Sequence, residues 1–81
     1  MYQNANYEVI LPISAVGVLM AHINSYGYSD ARDYRVIDMS ASDKYEGAAC
    51  IDVYSKYDFS DIRSLRHTLT SMKIEHEINE K

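Results

Sequence analysis

The stretch from Ala48 to Tyr54 reads AACIDVY and is the clearest indication of the fold. Ala49, Ile51 and Val53 fall on one side of an extended chain, because successive side chains of a strand point to opposite faces. The residues between them fall on the other side. Such alternation is typical of a β-strand with one buried face. The sequence therefore predicts a strand at 48–54 that turns one face toward a core.

The residues before this strand predict another strand and a turn. Residues 34–39 read YRVIDM, which is rich in β-branched and aromatic side chains. Residues 40–47 read SASDKYEG, and their aspartate, lysine and glycine are typical of a polar turn. A hairpin at 34–54 is the resulting prediction.

Amphipathic helices are predicted on both sides of this hairpin. In the first, over about 13–26, apolar residues recur three and four positions apart: Val16, Leu19, Met20 and Ile23. Gly27 stands where a left-handed residue commonly ends a helix. In the second, over about 59–71, the apolar stripe comprises Phe59, Ile62, Leu65, Leu69 and Met72. Asp58 is predicted to cap this helix, with Asp61 in an acidic, solvated first turn.

Two further strands complete the pattern. Residues 7–11 read YEVIL, and Pro12 ends the run because proline cannot continue a ladder. Near the C-terminus Ile74, His76 and Ile78 alternate with glutamates, which fits a short edge strand; a frayed continuation of the helix is the alternative.

The order β-α-β-β-α-β predicts an α+β fold, a ferredoxin-like sandwich in which a four-stranded antiparallel sheet carries two helices on one face. We expect a single domain over 1–81 with an ordered core at about 7–79. Three strands, two helices and a flexible C-terminus form the alternative.

Two local strings resemble the RNA-recognition motif, a domain of this fold and length. The closing residues of the first helix resemble that family, as does the strand-to-helix junction Leu11-Pro12; the helix residues are Leu19, Ile23, Tyr26 and Gly27. Residues 46–53, EGAACIDV, resemble its third-strand motif through Gly47, Ala49, Ile51 and Val53. The resemblance covers most of the chain as a fold pattern.

The outward positions of that motif depart from the family. RNA binding there requires aromatic rings, on which bases stack, where this chain has Ala48 and Cys50. Glu46 replaces the leading basic residue, and an aromatic role for Tyr7 would turn Glu8 inward. The resemblance thus supports the topology. A nucleic-acid-binding domain remains an alternative function, with Tyr7, Tyr54 and a basic stripe as its surface; the stripe comprises Lys56, Arg63, Arg66 and Lys73.

Composition limits the function classes. An 81-residue chain that is 47% hydrophobic and 25% charged is an ordinary globular domain, too small to enclose a deep substrate cavity. A net charge of −4 argues against a general polyanion binder. A single cysteine predicts a reducing, cytoplasmic location. The longest apolar run is too short to span a bilayer, so no membrane partner is expected.

The reactive side chains do not form a recognisable catalytic or metal motif. The three histidines, His22, His67 and His76, are interpreted as surface or half-buried residues, so no metal or other cofactor is expected. Cys50 has no base near it in the sequence and is interpreted as a small filler or open-face residue. Asp38 and Asp52 could be neighbours across the second and third strands, and an acid–base enzyme using them is a third hypothesis.

Eight tyrosines against one phenylalanine favour a binding surface, because tyrosine combines a large rigid contact area with a polar tip. The leading hypothesis is a non-enzymatic interaction module that docks, through an open sheet face or an edge strand, onto another protein or a second copy of itself. An inhibitor of a host factor, encoded by a phage or mobile element, is the more specific prediction. The expected partner-binding residues are Ile10, Tyr34, Cys50, Asp52, Tyr54 and Tyr57.

Overall fold

The computed structural model describes residues 4–25 and 33–81, and for residues 58 and 59 it describes the backbone alone. The elements are β1 (Tyr7–Pro12), a single 3-10 turn (Ile13–Ala15), α1 (Val16–Ser25), β2 (Tyr34–Ala41), β3 (Ala48–Ser55), α2 (Asp58–Ser71) and β4 (Glu77–Glu80). All four predicted strands and both helices are present. Tyr26 and Gly27, which carry the predicted end of α1, lie outside the described residues.

The four strands form one sheet in the order β2-β3-β1-β4, and each neighbouring pair is antiparallel. The predicted α+β class, with a four-stranded antiparallel sheet and two helices, is therefore confirmed. No helix in the described part of the chain is long and apolar enough to cross a membrane.

One hydrophobic core joins the sheet to both helices. Leu19 of α1 and Leu65 and Leu69 of α2 are fully buried in the same cluster as the alternate residues of the two central strands. The strand residues of this cluster are Val9, Leu11, Ala49, Ile51 and Val53. Because side chains alternate along a strand, the residues between them face the opposite side of the sheet. That opposite side is called the open face below.

An irregularity divides the outer strand β2. Val36 pairs with Val53 and Asp38 pairs with Asp52, so Ile37 is an extra residue without a partner on β3. Such a β-bulge shifts the alternation of side chains by one position. Arg35 and Asp38, three residues apart, consequently share the open face, which strict alternation would forbid.

The end of α2 explains why β4 begins later than the alternation of residues 74–78 predicts. Lys73 adopts a left-handed φ of 57°, and its N–H donates to the carbonyl of Thr70 at 3.0 Å. The N–H of Ile74 donates to the carbonyl of Leu69 at 2.9 Å. These two bonds form the Schellman motif that ends many helices. Ile74 packs on the core from this connection, and the helix does not continue as the alternative required.

The start of α2 also differs from the prediction. The residue at the N-cap is Tyr57, and it makes no side-chain capping hydrogen bond. Asp61 is not solvated but has an exposure of 0%, and its carboxylate accepts a 2.6 Å hydrogen bond from Ser55 Oγ. The reason is its spacing: Asp61, Leu65 and Leu69 are four residues apart and share the helix face that meets the sheet.

Candidate functional site

The open face is the side of the sheet opposite the one against which the helices pack. Its residues come from all four strands: Glu8, Ile10 and Pro12; Arg35, Asp38 and Ser40; Ala48, Cys50, Asp52 and Tyr54; Glu77 and Asn79. Both helices pack against the other side of the sheet.

A polar cluster occupies the middle of the open face. Ligating atoms of Glu8, Cys50 and Asp52 lie within 4.8 Å of one another, and all three residues are partly buried. Lys81 Nζ lies 2.9 Å from Asp52 Oδ2 and forms an ion pair with it. Among the described residues this is the group of side chains that could converge on a metal ion, and it contains no histidine.

The electrostatics of the cluster keep the Cys50 thiol protonated. Burial, a hydrogen bond with Glu8 and the negative charges of Glu8 and Asp52 raise the pKa of Cys50 to about 11, and Lys81 opposes the shift. The thiolate is the form that attacks electrophiles and binds metals. At neutral pH the thiol of Cys50 is therefore a poor nucleophile. Lys81 already neutralises Asp52, which makes the cluster a weak metal centre.

Asp38 and Asp52 lie opposite each other on β2 and β3, as expected, because the bulge at Ile37 brings Asp38 to the open face. Asp52 is ion-paired with Lys81. Asp38 is exposed, and its side chain makes no hydrogen bond or ion pair with another described residue. An acid–base function of the two carboxylates stays a prediction.

A groove of about 700 Å³ adjoins one end of the open face, between the β2–β3 turn and the connection from α2 to β4. Its lining includes apolar side chains, among them Ile10, Ala48 and Ile74, and charged groups at Glu46, Lys73, Glu75 and Glu77.

A clamp of hydrogen bonds spans one side of this groove. Lys44 Nζ donates to both carboxylate oxygens of Glu77 at 3.1 Å, and the hydroxyl of Tyr45 donates to Oε1 at 3.0 Å. Hydrogen bonds from Asn79, Lys44 and Tyr45 lower the pKa of Glu77. The clamp joins residues more than 30 positions apart. It ties the turn before β3 to the edge strand β4.

The structure brings three of the predicted partner-binding residues together. Cys50, Asp52 and Tyr54 form a row of partly buried side chains along the open face of β3. Ile10 shares this face but is only 6% exposed, so little of its side chain is available to a partner. Tyr57 is 46% exposed at the start of α2, with Lys56 Nζ 5.6 Å from its ring centroid.

Tyr34 lies in the core instead of on a binding surface. It pairs with Ser55, which faces the helices, and it is 2% exposed. Its hydroxyl is 2.9 Å from Nδ1 of His22, and the two rings meet edge to face. The local sequence pattern does not show this burial, because the register of β2 against β3, which depends on long-range pairing, decides which face Tyr34 occupies.

His22 is part of a buried polar network that the sequence interpretation missed. It is 8% exposed, and its Nε2 lies 3.2 Å from Ser64 Oγ of α2. Burial lowers the pKa of His22, and the charge of Asp61 opposes the shift. The signal was available in the spacing, since His22 follows Leu19 by three residues and shares its helix face.

The other histidines and the basic stripe are peripheral. His67 is exposed on α2, and Nδ1 of His76 lies 2.9 Å from the carbonyl oxygen of Ile74. The four residues of the predicted stripe, Lys56, Arg63, Arg66 and Lys73, are exposed.

The positions that resemble the RNA-recognition motif carry no aromatic stack. Ala48 is 9% exposed, and Cys50 stands beside two carboxylates, which repel phosphate. Tyr7 pairs with Val53 on the helix side of the sheet, and Glu8 faces the open side, as the alternation predicts. No family model, curated protein or solved structure matches the chain.

Proposed function

We propose that the protein is a non-enzymatic interaction module that binds another protein through its open face. The row of Cys50, Asp52 and Tyr54 along β3 carries the proposal, because it is a partly exposed strip of mixed polarity at the centre of a sheet. Protein-binding surfaces commonly combine a tyrosine anchor with surrounding polar groups. The adjoining groove offers a recess for one side chain of the partner.

The charge state of the open face supports binding over catalysis. The raised pKa of Cys50 disfavours covalent chemistry, and Asp52 and Glu77 are engaged by Lys81 and Lys44. Paired charges of this kind add specificity to an interface, because a partner must match them or compensate for them.

The ferredoxin-like arrangement is part of the same proposal. Read from the other edge, the strand order is β4-β1-β3-β2, with β1 and β3 in the centre. Each β-α-β unit then skips one strand, so the two strands that it joins are parallel and separated by an antiparallel neighbour. This succession supports a split β-α-β fold, which presents its two central strands on the open face.

An inhibitory role is the specific form of the proposal. A rigid face on a chain of 81 residues suits the occlusion of a larger protein's surface. The inhibitory role rests on analogy with small acidic phage and mobile-element products. Adding the purified module to its captured target should then lower the target's activity in proportion to the bound fraction.

Capture of a partner tests the proposal. The tagged protein is incubated with lysate of its own host, and bound material is eluted with a salt gradient and measured by mass spectrometry and absorbance at 260 nm. We expect one protein in stoichiometric amount that survives high salt. Nucleic acid released at moderate salt would contradict the proposal and support the RNA-binding alternative.

Matched variants locate the surface. Tyr54→Ala removes the tyrosine of the β3 row, and a loss of partner affinity of about 30-fold is expected if it anchors the interface. His67→Ala changes an exposed residue of α2, on the other side of the sheet, and should leave capture unchanged. Equal retention by both variants, each with an unaltered circular dichroism spectrum, would refute the open face as the binding surface.

A further inference from the structure

The outer edge of β2 has the features of a surface for a second copy of this chain. β2 is an eight-residue strand at one end of the sheet, and no described strand pairs with its outer side. Its last five residues are exposed, including Ile37 at 38% and Met39 at 45%. An exposed edge of this length with apolar side chains favours pairing with another strand.

The bulge at Ile37 restricts which strand can pair there. Side chains directly opposite each other in a sheet lie on the same face. By register with β3, Tyr34, Val36 and Met39 face the helix side, and Arg35, Asp38 and Ser40 face the open side. If a regular strand pairs with one half of β2 so that opposite side chains share a face, its side chains lie on the wrong face along the other half. A second β2 carries the same shift in the reverse direction and can stay in phase throughout.

One register satisfies this condition and also pairs the charges of the strand. When two copies pair antiparallel with Val36 opposite Ile37 of the other copy, Tyr34 lies opposite Met39 and Arg35 lies opposite Asp38. Tyr34 and Met39 then meet on the helix side, and Arg35 and Asp38 meet on the open side. Shifting one copy by one residue in either direction sets at least one helix-side residue against an open-side residue. The two-residue shift that puts Val36 opposite Met39 keeps the two faces matched, but it sets Arg35 opposite Ser40 and so leaves Arg35 and Asp38 without opposite-charge partners across the pair.

The charges of this register complement each other. The side chains of Arg35 and Asp38 make no ion pair or hydrogen bond with any described residue, and Arg35 Nε is buried without an acceptor. In the two-fold pairing each guanidinium meets a carboxylate, so two opposite-charge pairs form per dimer. Isologous pairing of this kind is the usual symmetry of homodimers.

We propose that the protein forms a homodimer through antiparallel pairing of β2 with β2, with Arg35 of each copy opposite Asp38 of the other. The dimer rests on the proposed interaction module and names a second copy of the chain as one of its partners. The dimer uses the edge of the sheet and leaves the middle of the open face free. The sheet becomes continuous over eight strands, and Ile37 and Met39 are covered.

Reciprocal charge reversal tests the register. Arg35→Glu and Asp38→Lys each place two like-charge pairs in a homodimer, so each variant alone should dimerise at least about tenfold more weakly than the unchanged protein. Mixing the two variants restores both opposite-charge pairs in the heterodimer. Mass in solution is measured by sedimentation equilibrium, and native mass spectrometry identifies the heterodimer.

We expect the unchanged protein to show twice its chain mass of 9.3 kDa, each single variant to shift toward monomer, and the mixture to recover the dimer. Arg66→Glu reverses an exposed charge on α2 and should leave the dimer intact. Circular dichroism and thermal melting establish that each variant is folded.

Either of two results would overturn the inference: a monomer at all concentrations up to about 1 mM, at which even weak pairs with millimolar dissociation constants are populated, or reversals that neither weaken the dimer nor rescue each other. The measurement uses purified protein alone. A monomeric result therefore leaves partner capture by the open face standing, and a failed capture leaves the dimer standing.

Discussion

Replacing Lys73 with glycine should stabilise the protein, because the residue is held in a conformation that disfavours a side chain. Lys73 ends α2 with φ at 57°, and it is the non-glycine residue with positive φ among those described. Its backbone N–H and that of Ile74 close the Schellman motif, so the angle is required by two hydrogen bonds and cannot relax without breaking them.

The expected magnitude follows from two opposing terms. A left-handed residue with a Cβ costs roughly 1–2 kcal/mol, and glycine removes this cost. Glycine also gives the unfolded chain more freedom, which costs about 0.4–1 kcal/mol. The net gain in unfolding free energy for Lys73→Gly is therefore about 1 kcal/mol. For a domain of this size that gain raises the melting temperature by roughly 4–8 °C.

Urea unfolding followed by circular dichroism measures the effect, with Lys73→Ala as the matched control. Alanine removes the same charged side chain, including any favourable interaction with the C-terminal helix dipole, but keeps the Cβ. The glycine variant should exceed the alanine variant in stability by about 1 kcal/mol. Equal stability of the two variants would refute the left-handed strain, and a glycine variant below the alanine variant would show that residue 73 is not left-handed in solution.

The remaining predictions concern a turn glycine, a buried histidine, a buried hydrogen bond and the thiol of the open face. Gly47→Ala should lower stability by about 1 kcal/mol, since φ at this turn is 74°, and an unchanged urea midpoint would contradict the left-handed turn. The contribution of His22 to stability should be constant above pH 6.5, the ordinary pKa of histidine, and fall as pH drops below it, because the lowered pKa of His22 makes the unfolded chain bind the extra proton. A His22→Asn variant should lose that part of the slope in pH-dependent urea titrations; an unchanged slope would contradict the buried neutral histidine. Ser55→Ala should lower the free energy of unfolding by about 1–3 kcal/mol, because it removes a hydrogen-bond donor from the buried carboxylate of Asp61. Thermal unfolding at neutral pH measures this loss, and a loss below about 0.5 kcal/mol would count against the buried bond. Cys50 should react with iodoacetamide near neutral pH about 100-fold more slowly than a thiol of pKa 9.0, and a rate equal to that of the urea-unfolded chain would contradict the raised pKa.

Much of the candidate site could be predicted from the alternation of β3. Cys50, Asp52 and Tyr54 lie on the open face because they alternate with three apolar residues that a helix-covered sheet must bury. The approximate position of each element followed in the same way from local periodicity. The end of α2 was harder, since a left-handed lysine is not a usual stop signal and the alternation of residues 74–78 could begin at several positions.

The buried polar residues could not be placed by treating polar side chains as surface groups. His22 and Asp61 lie on the apolar faces of their helices, where hydrogen bonds with Tyr34, Ser64 and Ser55 compensate for the loss of water. Those partners are 6 to 42 residues away in the chain, so no local pattern identifies them.

The sequence by itself determined the elements, their order and the buried face of β3, because periodicity reports how neighbouring residues share a surface. Only the tertiary structure decided which residues meet. The register of β2 against β3 buries Tyr34, the bulge at Ile37 places Arg35 and Asp38 on one face, and the clamp from Lys44 to Glu77 closes one side of the groove. Each depends on strand pairing between distant segments, where a slip of one residue would exchange the two faces of the sheet.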